Sequence, residues 1–513
     1  MNSKITTWVS SILPERGALM VVALASFLMY YAATTILAWR RLRHIPGPPL
    51  ASISHLWSFF AVASGQCHIK IARAQKKYGK AMRIGPDAIM VYDPETLWQI
   101  NSARSLYTRG GWYESIKFHP DGDSVFSEMS NVVHDRRKAK LAGGFAGKGS
   151  VNLEADVDSQ IAALVKYIRG KTLDGQGNNL DFNDIIRWFQ LDLITLVGLG
   201  EAWGDLAEET DHFDFLRTMD SAIPLLHSIS MVPFMRKIVF SKPFLYLAAP
   251  RVTDKGGMGR CIREMRSTVK SHFDNTVETK TGRQTGDMLG EWIKHGYSPD
   301  QCEYDIASIM PAGTETSITV IRGTLLHILS SPAVYHKLKQ EIFEGIKSGK
   351  ISQPITNDQA KAMPYLQAVI SEGTRVVSPV INGFPKTVPP GGDTICGMFV
   401  PEGTEIHMNC ISMLMNTDVF GEDTEVFRPE RFLDCDDKQR AYMLKTIDLI
   451  FGYGRWLCLG KPLAMIELNK IFVELLRVFD FQIAHAEQPW KRRTYSTSII
   501  EDFELRIWEN PLD

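Results

Sequence analysis

A glycine-rich segment near the C-terminus contains a cysteine in a setting that suits metal chemistry. Gly454, Cys458 and Gly460 lie close together, directly before an amphipathic stretch that predicts a helix. Glycines allow a flat ligand to approach the backbone, and the unpaired amides at a helix N-terminus favour a thiolate. A single thiolate without a second Cys or His nearby suits the axial ligand of haem iron and does not suit tetrahedral zinc. Taken alone, a Cys-x-Gly sequence is more often a buried cysteine beside a turn, so the interpretation depends on the neighbouring motifs.

A second motif that could do chemistry lies midway along a predicted helix over Tyr304–Leu329. Ala312, Glu315 and Thr316 place a small residue, a carboxylate and a hydroxyl within little more than one turn. Such groups leave room for a ligand and can relay protons to it. Pro311 removes one helical hydrogen bond and is expected to bend the helix there, which could widen the groove. The alternative is a plain helix in which the Thr316 hydroxyl bonds back to its own turn.

A charged pair precedes the cysteine segment. Glu372 and Arg375 stand at i and i+3 of a predicted helix over Tyr365–Arg375, so their side chains share a face and can pair. Alone, such a pair is usually solvated at the surface, and a buried pair is tolerable only when its remaining hydrogen bonds are made.

The elements that must position these residues are mostly helical. Apolar residues recur at helical spacing in Leu153–Ile168, Asn183–Leu199, Tyr304–Leu329, Ala333–Lys347, Tyr365–Arg375 and Lys461–Phe479. The strand-like segments are Ala81–Ile84 with Ile89–Tyr92, Thr394–Val400 with Thr404–Asn409, and Phe503–Trp508. The polar segment Thr276–Gln284 predicts a surface loop. The predicted fold class is mainly α with a minor β part.

Composition excludes several classes of protein. The 513 residues are 44% hydrophobic and 22% charged, which is enough for a large core. The 57 Lys and Arg residues against 58 Asp and Glu residues give a net charge of −1, so composition offers no case for nucleic-acid binding. Seven cysteines without a CxxC pair argue against a disulfide framework or a zinc module, and for a reducing compartment.

A run without charge extends from Ala18 to Trp39. As a helix it would span roughly 33 Å, enough for the ~30 Å apolar layer of a bilayer. Arg40, Arg41 and Arg43 follow it, and the positive-inside rule places them in the cytosol. A cleaved signal peptide is disfavoured by the length of the run and the lack of a small-x-small site. A buried core helix is disfavoured by the basic cluster beside it.

The cysteine segment resembles the haem-binding loop of the cytochrome P-450 family of haem-thiolate monooxygenases, Phe-x-x-Gly-x-Arg-x-Cys-x-Gly. The matching residues are Phe451, Gly454, Cys458 and Gly460. Trp456 stands at the usual arginine position, with Arg455 one residue earlier. Either of these side chains could reach a haem propionate.

The resemblance assigns roles to the other motifs, which follow in the family's order. Residues 312–316 resemble the oxygen-binding groove, in which Thr316 would hydrogen-bond the oxygen ligand and Glu315 would deliver protons. The pair Glu372 and Arg375 matches the family's Glu-x-x-Arg, and Arg431 resembles its third member. The residues that stand at the family's propionate positions are His134, Lys138 and Lys386. An ordinary surface role remains open for both lysines, and Arg136, Arg137 and Lys140 could instead form a basic face for an acidic redox partner.

The resemblance implies a triangular, mainly helical fold with haem b between the oxygen helix and the cysteine loop. It divides the chain into a lumenal N-terminus at 1–17, a transmembrane anchor at 18–39, a basic and proline-rich hinge at 40–50, and a haem-binding catalytic domain at 51–513. The resemblance also implies which residues line the substrate pocket, from the positions that do so in the family: Tyr107, Trp112, Tyr113, Phe118, Ile309, Ala312, Val380, Ile381 and Phe384. Each of these residues could equally be part of the core.

The implied activity is insertion of one oxygen atom from O2 into an apolar small molecule. Electrons would come from NADPH through NADPH-cytochrome P-450 reductase, with cytochrome b5 as a possible second donor, at the endoplasmic reticulum membrane. Residues 136–140, 143–148 and 388–392 resemble fungal members of secondary metabolism and of the pisatin demethylase type. The first hypothesis is a biosynthetic monooxygenase acting on a terpenoid, polyketide or alkaloid intermediate, and the second is a detoxifying monooxygenase. A haem-thiolate isomerase or dehydratase is disfavoured by Glu315 and Thr316, and a non-enzymatic haem sensor predicts no turnover.

Overall fold

Helices form most of the chain in a computed structural model that describes residues 21–22, 25–26, 29–149, 151–172, 178–274 and 286–510. The α-helices span residues 29–42, Leu56–Ala63, Cys67–Tyr78, Pro94–Asn101, Asn131–Phe145, Leu153–Lys171, Phe182–Leu199, Asp205–Glu208, Phe215–Ser230, Pro233–Val239, Lys242–Ala248, Gly257–Phe273, Met288–Lys294, Pro299–Leu329, Pro332–Lys347, Asn357–Lys361, Pro364–Val376, Cys410–Leu414, Thr417–Phe420, Asp437–Asp448 and Lys461–Val478. Short 3-10 helices lie at Pro49–Ser52, Gly111–Ser115, Pro429–Phe432, Leu449–Phe451 and Gly454–Trp456. The prediction of a mainly α fold with a minor β part is confirmed.

The central helix, Pro299–Leu329, is the axis of the core. It packs against Phe182–Leu199, Gly257–Phe273, Pro364–Val376 and Lys461–Val478. The sequence predicted its C-terminal end correctly and its start too late, because Ser298 begins the helix with a reciprocal capping box to Gln301. The helix continues through Pro311 without a break.

The strands form small sheets at the edge of the helical body. One sheet has five strands in the order Ala81–Gly85, Ala88–Val91, Glu405–Asn409, Asn382–Thr387 and Thr108–Arg109. A second has the order Asn178–Asp181, Glu504–Glu509 and Phe479–Ile483. Two hairpins pair Asp393–Ile395 with Met398–Val400 and Lys491–Thr494 with Ser498–Glu501.

One predicted strand pairing is wrong. The segment predicted as a strand over Thr394–Val400 is itself a hairpin, because Cys396 and Gly397 both have positive φ (48° and 79°), which turns the chain back. The strand Glu405–Asn409 pairs instead with Ala88–Val91 and Asn382–Thr387. The predicted pairing at Ala81–Ile84 and Ile89–Tyr92 is confirmed, whereas the predicted loop Thr276–Gln284 lies outside the described residues.

The N-terminal helix over 29–42 ends against the five-stranded sheet. Arg83 donates to the carbonyl oxygens of Ala38 (3.1 Å) and Trp39 (3.4 Å), and Leu42 is buried. Within the described residues no single helix has the length and apolarity to cross a bilayer; the helices Pro299–Leu329 and Pro332–Lys347 reach those values only together, bent by 106° at their junction. The predicted anchor at 18–39 lies partly outside the described residues.

Candidate active site

The cysteine loop is closed by its own backbone. The amide of Cys458 donates to the carbonyl of Phe451 at 2.6 Å, so the chain between them forms a tight loop ahead of the helix Lys461–Val478. Gly454 has φ 56°, and a Cβ atom there would lie 2.6 Å from the carbonyl oxygen of Asn101. Only glycine fits that position, because both its backbone conformation and the close approach exclude a side chain.

Cys458 differs from the other cysteines of the chain. It is exposed, whereas Cys67, Cys261, Cys302 and Cys410 are buried. Burial nevertheless raises the pKa of the Cys458 thiol, against the opposing effect of the Gly460 amide and of nearby lysine charges. Among the described cysteines, Cys458 is therefore the residue that a ligand could reach most readily.

The middle of the central helix presents an accessible face inside the protein. Ala312 is exposed and Ile309 and Thr316 are partly exposed, whereas most neighbouring residues of the helix are buried. The spacing i, i+3 and i+7 places these three side chains on one side of the helix. Gly313 lies on another side, where a Cβ atom would be 2.6 Å from Ile194, so this glycine permits close helix packing.

Thr316 and Glu315 point to different surroundings. The Thr316 hydroxyl donates to the Ala312 carbonyl at 2.7 Å, which is the back-bond to its own turn. The Glu315 carboxylate is buried 3.5 Å from Arg187 and 3.9 Å from Arg322. Arg187 also pairs with the partly exposed Asp220 at 2.7 Å. Asp220, Arg187 and Glu315 therefore form a series of ion pairs that ends at the residue next to Thr316.

The two arginines beside Glu315 stay charged near pH 7. Burial lowers the pKa of Arg187, but the carboxylates of Glu315 and Asp220 outweigh it and raise the pKa overall. Burial lowers the pKa of Arg322 to about 10. Arg322 donates to the side chain of Asn183 and to the Ile500 carbonyl, so its guanidinium is held firmly on the far side of Glu315.

The structure brings Glu372, Arg375 and Arg431 together in the core. Arg375 binds both oxygens of Glu372 at 2.7 Å, and Arg431 lies 3.3 Å from each of the same oxygens. Arg375 also donates to the carbonyls of Leu414 and Thr424. Because the remaining hydrogen-bonding capacity is used, the buried triad is tolerated and ties Pro364–Val376 to the segment before the cysteine loop.

Two buried cations lie against Trp456 without an ion partner. The Lys386 Nζ is 5.0 Å and the Arg109 guanidinium carbon 4.9 Å from the centre of the Trp456 ring. Lys386 donates to the Phe384 carbonyl (2.9 Å) and the Tyr113 hydroxyl (3.3 Å). Within the described residues neither cation has a carboxylate within 4.0 Å. Burial, followed by the charge of Arg109, lowers the pKa of Lys386 well below its usual value.

The helix Asn131–Phe145 holds the other side of the loop. Lys138 donates to the carbonyls of Arg455 (2.7 Å) and Leu457 (2.6 Å), and burial lowers its pKa to about 8. The Arg455 guanidinium turns to Asp135 at 3.0 Å, and the ring of His134 lies 5.0 Å from Trp456. Arg455 and Trp456 were the two candidates for contact with a haem propionate. Trp456 lies against the buried cations Arg109 and Lys386, whereas Arg455 pairs with Asp135 of the helix Asn131–Phe145.

The comparisons with known proteins agree with this geometry. A family model described as Cytochrome P-450 matches residues 46–501. The chain belongs to the cytochrome P-450 family.

Fungal cytochromes P-450 are among the relatives. The cytochrome P-450 monooxygenase ABA1 of Pyricularia oryzae is 38% identical over 517 residues, which cover 99% of this chain and 98% of that protein. The monooxygenase aba1 of Botryotinia fuckeliana is 38% identical over 474 residues, 91% of this chain and 92% of that protein. Pisatin demethylase of Fusarium vanettenii is 26% identical over 458 residues, 88% of this chain and 86% of that protein.

As a cytochrome P-450, the protein is an oxidoreductase of the monooxygenase class. Members of the family carry haem with a cysteine thiolate ligand, use O2, receive electrons from a redox partner reductase, and act on small molecules. The residues present fit this cofactor, because haem carries two propionate carboxylates and the structure holds two buried cations that have no carboxylate partner in the part of the chain that it describes.

The predicted pocket residues fall into two groups. Trp112, Tyr113 and Phe384 contact one another, and Tyr113 and Phe384 also contact Phe126, with ring centres 5.3–6.5 Å apart. Phe118 and Ile309 are partly buried beside the same core. The structure places Tyr107 and Val380 elsewhere, in a second apolar cluster around the five-stranded sheet. The Tyr107 hydroxyl donates to Asp393 at 2.7 Å. Ile381 is fully buried.

Sequence reasoning missed Arg109. It lies in a strand of two residues, too short to give a pattern, and its charge could not be told from that of a surface arginine. The available signal was Lys386, the one charged residue of the strand Asn382–Thr387. Arg109 stands directly opposite Lys386 in the antiparallel pair.

Proposed function

We propose that Cys458 is the thiolate ligand of the haem iron and that the protein inserts one oxygen atom of O2 into an apolar small molecule. The setting of Cys458 carries the proposal: the residue is exposed, and Trp456, two residues earlier, lies against Arg109 and Lys386, which have no carboxylate partner among the described residues. Phe451, Gly454 and Gly460 shape the loop around the sulfur.

The protein's residues would bind and orient the cofactor. Arg109 and Lys386 supply positive charge for the propionates, and Lys138 and His134 hold the loop and Trp456 from the side. Bound haem supplies the activation of O2 and the transfer of oxygen to carbon. The amide of Gly460 favours the negative charge on the sulfur.

Thr316 and Glu315 would supply protons. The Thr316 hydroxyl lies on the accessible face of the central helix and can turn from its own carbonyl toward a ligand. Glu315 stands beside it, and Arg187 connects Glu315 to the partly exposed Asp220. This arrangement places a carboxylate one residue from the hydroxyl at the groove, and the carboxylate would pass protons from solvent toward Thr316.

The substrate is proposed to be an apolar intermediate of fungal secondary metabolism, a terpenoid, polyketide or alkaloid. The aromatic residues Trp112, Tyr113 and Phe384, together with Ile309 and Ala312, supply an apolar wall that can orient such a molecule. Detoxification is the second candidate, supported by the likeness to pisatin demethylase.

We place the protein at the endoplasmic reticulum membrane through an anchor over residues 18–39, after a lumenal segment 1–17. The hinge 40–50 then connects to a cytosolic catalytic domain 51–513, which would receive electrons from NADPH-cytochrome P-450 reductase and, as a second donor, cytochrome b5. Met29, Tyr30 and Leu37 on the described part of this helix expose their apolar side chains, as a lipid-facing helix would.

A second apolar surface supports contact with the membrane. The short helices Pro233–Val239 and Lys242–Ala248 expose Phe234, Tyr246 and Leu247. These large side chains lie together with lysines on the same two helices, the combination that favours the interface of an anionic bilayer.

Three measurements test the proposal. Cys458→Ser should abolish the carbon monoxide difference band of thiolate-ligated haem, whereas the matched control Cys435→Ser should keep it. A band that survives in Cys458→Ser contradicts the assignment of the ligand.

Turnover should require NADPH, reductase and O2, and product formed without O2 would indicate an isomerase or dehydratase. Deleting residues 1–43 should weaken attachment to membranes while preserving the band, and unchanged attachment would mean that other surfaces dominate.

A further inference from the structure

Arg322 lies inside the central helix Pro299–Leu329, two turns after Glu315. At the spacing i and i+7 the two side chains share a face of the helix, and a long helical side chain leans back toward the N-terminus. Arg322 therefore extends toward Glu315, and its Nη2 lies 3.9 Å from Oε2 of the carboxylate. Arg322 is fully buried, so this guanidinium belongs to the core and not to a solvated surface.

Three contacts hold the guanidinium of Arg322 through Nε and Nη1. Nε donates to the carbonyl of Ile318 at 3.2 Å, and Nη1 donates to Oδ1 of Asn183 and to the Ile500 carbonyl. Nη2 has no hydrogen-bond partner in the part of the chain that the structure describes. Because a buried donor without a partner is unusual and costly, the N–H groups of Nη2 are available to a carboxylate that moves closer.

The Glu315 carboxylate lies between two arginines and is bound closely by neither. Its Oε1 is 3.5 Å from Nη2 of Arg187, and its Oε2 is 3.9 Å from Nη2 of Arg322. Both distances exceed the roughly 2.7–2.9 Å of a charge-assisted hydrogen bond. Arg187 makes its short contact, at 2.7 Å, with Asp220 instead. A small rotation of the Glu315 side chain would therefore shorten one contact and lengthen the other.

Asn183 extends the contact of Arg322 toward the surface of the protein. Its Oδ1 accepts from Arg322, and its Nδ2 donates to Oδ1 of Asp184 at 3.1 Å. Asp184 is partly exposed. Arg322 thus connects Glu315 with a second carboxylate at the edge of the core, as Arg187 does through its own ion pair.

We infer that Arg322 is a positioning residue for proton supply: by opposing the attraction of Arg187, it keeps the Glu315 carboxylate free to move between the solvent side and Thr316. This inference rests on the proposed function and names a further residue of the same site. With a single arginine the carboxylate would stay at that arginine, whereas a proton carrier must leave the group that holds it. Glu315 takes one proton from water and gives one to the Thr316 hydroxyl, while both guanidinium groups keep their protons.

The first measurement asks whether Arg322 and Glu315 interact, and it needs no turnover. Urea unfolding of the haem-loaded full-length protein is followed for Arg322→Met, Glu315→Gln and the double variant. We expect non-additive effects, with the unfolding equilibrium constant of the double variant at least about fivefold away from the product of the single effects. Additive effects would overturn the inference.

The second measurement separates positioning from support of the fold. NADPH consumption with the reductase is measured in H2O and in D2O, with the hydrocarbon farnesene as the apolar probe. Arg322→Met should slow consumption at least about threefold and increase the solvent isotope effect about twofold, because proton supply then limits the rate. The same substitution should add no further effect in the Glu315→Gln protein. Arg322→Lys, which keeps a cation at this point, should restore the isotope effect.

Arg477 provides the matched control. It is a buried arginine that lies 3.7 Å from a carboxylate, that of Glu474, and its Nε has no hydrogen-bond partner among the described residues. Arg477→Met should destabilise the protein as Arg322→Met does, yet leave the isotope effect at the wild-type value. An isotope effect that is unchanged in Arg322→Met, or that changes equally in Arg477→Met, would show that Arg322 only supports the fold.

Failure of the proposed function has a different signature. A wild type that lacks the thiolate band, or that consumes no NADPH with the reductase, would contradict the proposed function and the inference together. A wild type with both properties and an Arg322→Met variant that equals it would contradict the inference alone.

Discussion

Arg109 and Lys386 face each other as direct cross-strand neighbours in an antiparallel pair, and both are buried. Like charges in that position destabilise a sheet, and a buried charge without a partner is costly. Burial lowers the pKa of Arg109 as it does that of Lys386. A sheet that retains both residues is built to receive negative charge, which the haem propionates would provide.

The first prediction concerns retention of haem. Lys386→Met should increase the rate of haem transfer to apomyoglobin at least tenfold, because a charge-assisted hydrogen bond contributes about 1.5–3 kcal/mol. Arg109→Met should act in the same direction. The exposed Lys350 gives the control Lys350→Met, and equal transfer rates in all proteins would contradict the assignment.

The second prediction concerns the buried triad. Arg375→Met should lower the free energy of unfolding by about 3–5 kcal/mol, because Glu372 would keep its charge in the core with a single remaining arginine. Arg375→Lys should rescue little, since lysine cannot form the bidentate contact. Urea denaturation of the holoprotein measures both variants.

A surface pair with the same spacing is the control for the triad. Lys361 and Asp358 lie 3.1 Å apart at i and i+3, and both side chains are exposed. Lys361→Met should change the free energy of unfolding by less than about 0.5 kcal/mol. If Arg375→Met and Lys361→Met lowered the free energy of unfolding by similar amounts, burial would not be the reason that the pair of Glu372 and Arg375 stabilises the protein.

The sequence sufficed for the long elements and for residues whose roles depend on local spacing. The central helix, the helix of Glu372 and Arg375, and the helix after Cys458 were predicted within a few residues, because apolar periodicity extends over several turns. The partner of a residue in a distant segment was not visible. Arg109 opposite Lys386, and Arg322 beside Asn183, depend on tertiary pairing that no local pattern encodes.

The same distinction explains the errors at short elements. The turn at Cys396 divides one predicted strand into a hairpin, and a positive φ at a cysteine has no clear sequence signal. At Glu315, the sequence indicated a carboxylate near the groove but gave no sign of Arg187 and Arg322, which determine where that carboxylate points.

The third prediction concerns pH. Burial raises the pKa of Glu467 to about 8, against the opposing hydrogen bonds of Ser317 and Gln190. The folded protein thus holds this proton between pH 4.5 and 8 while the unfolded chain releases it, so the stabilising contribution is complete below pH 4.5 and is lost as pH rises toward 8. Glu467→Gln, which resembles the protonated acid, should match the wild type at pH 5 and be more stable at pH 8, on the order of 3 kcal/mol.

Unfolding by urea at both pH values measures this effect. The exposed Glu487 provides the control Glu487→Gln, for which no pH-dependent difference is expected. A Glu467→Gln variant that is destabilised equally at pH 5 and pH 8 would show that the carboxyl is ionised in the folded protein.

The last prediction decides between the two interpretations of Thr316. If its hydroxyl leaves the Ala312 carbonyl to serve a bound oxygen ligand, Thr316→Ala should divert reductant from product to hydrogen peroxide severalfold, and Thr316→Ser should restore coupling. Thr268 makes the same back-bond, to Glu264, on another helix, so Thr268→Ala controls for loss of that bond. The ratio of NADPH consumed to product and peroxide formed is the measurement. Unchanged coupling in Thr316→Ala would show that the wild-type Thr316 hydroxyl serves only as a back-bond within its helix, because removing a hydroxyl that relays protons must change the coupling.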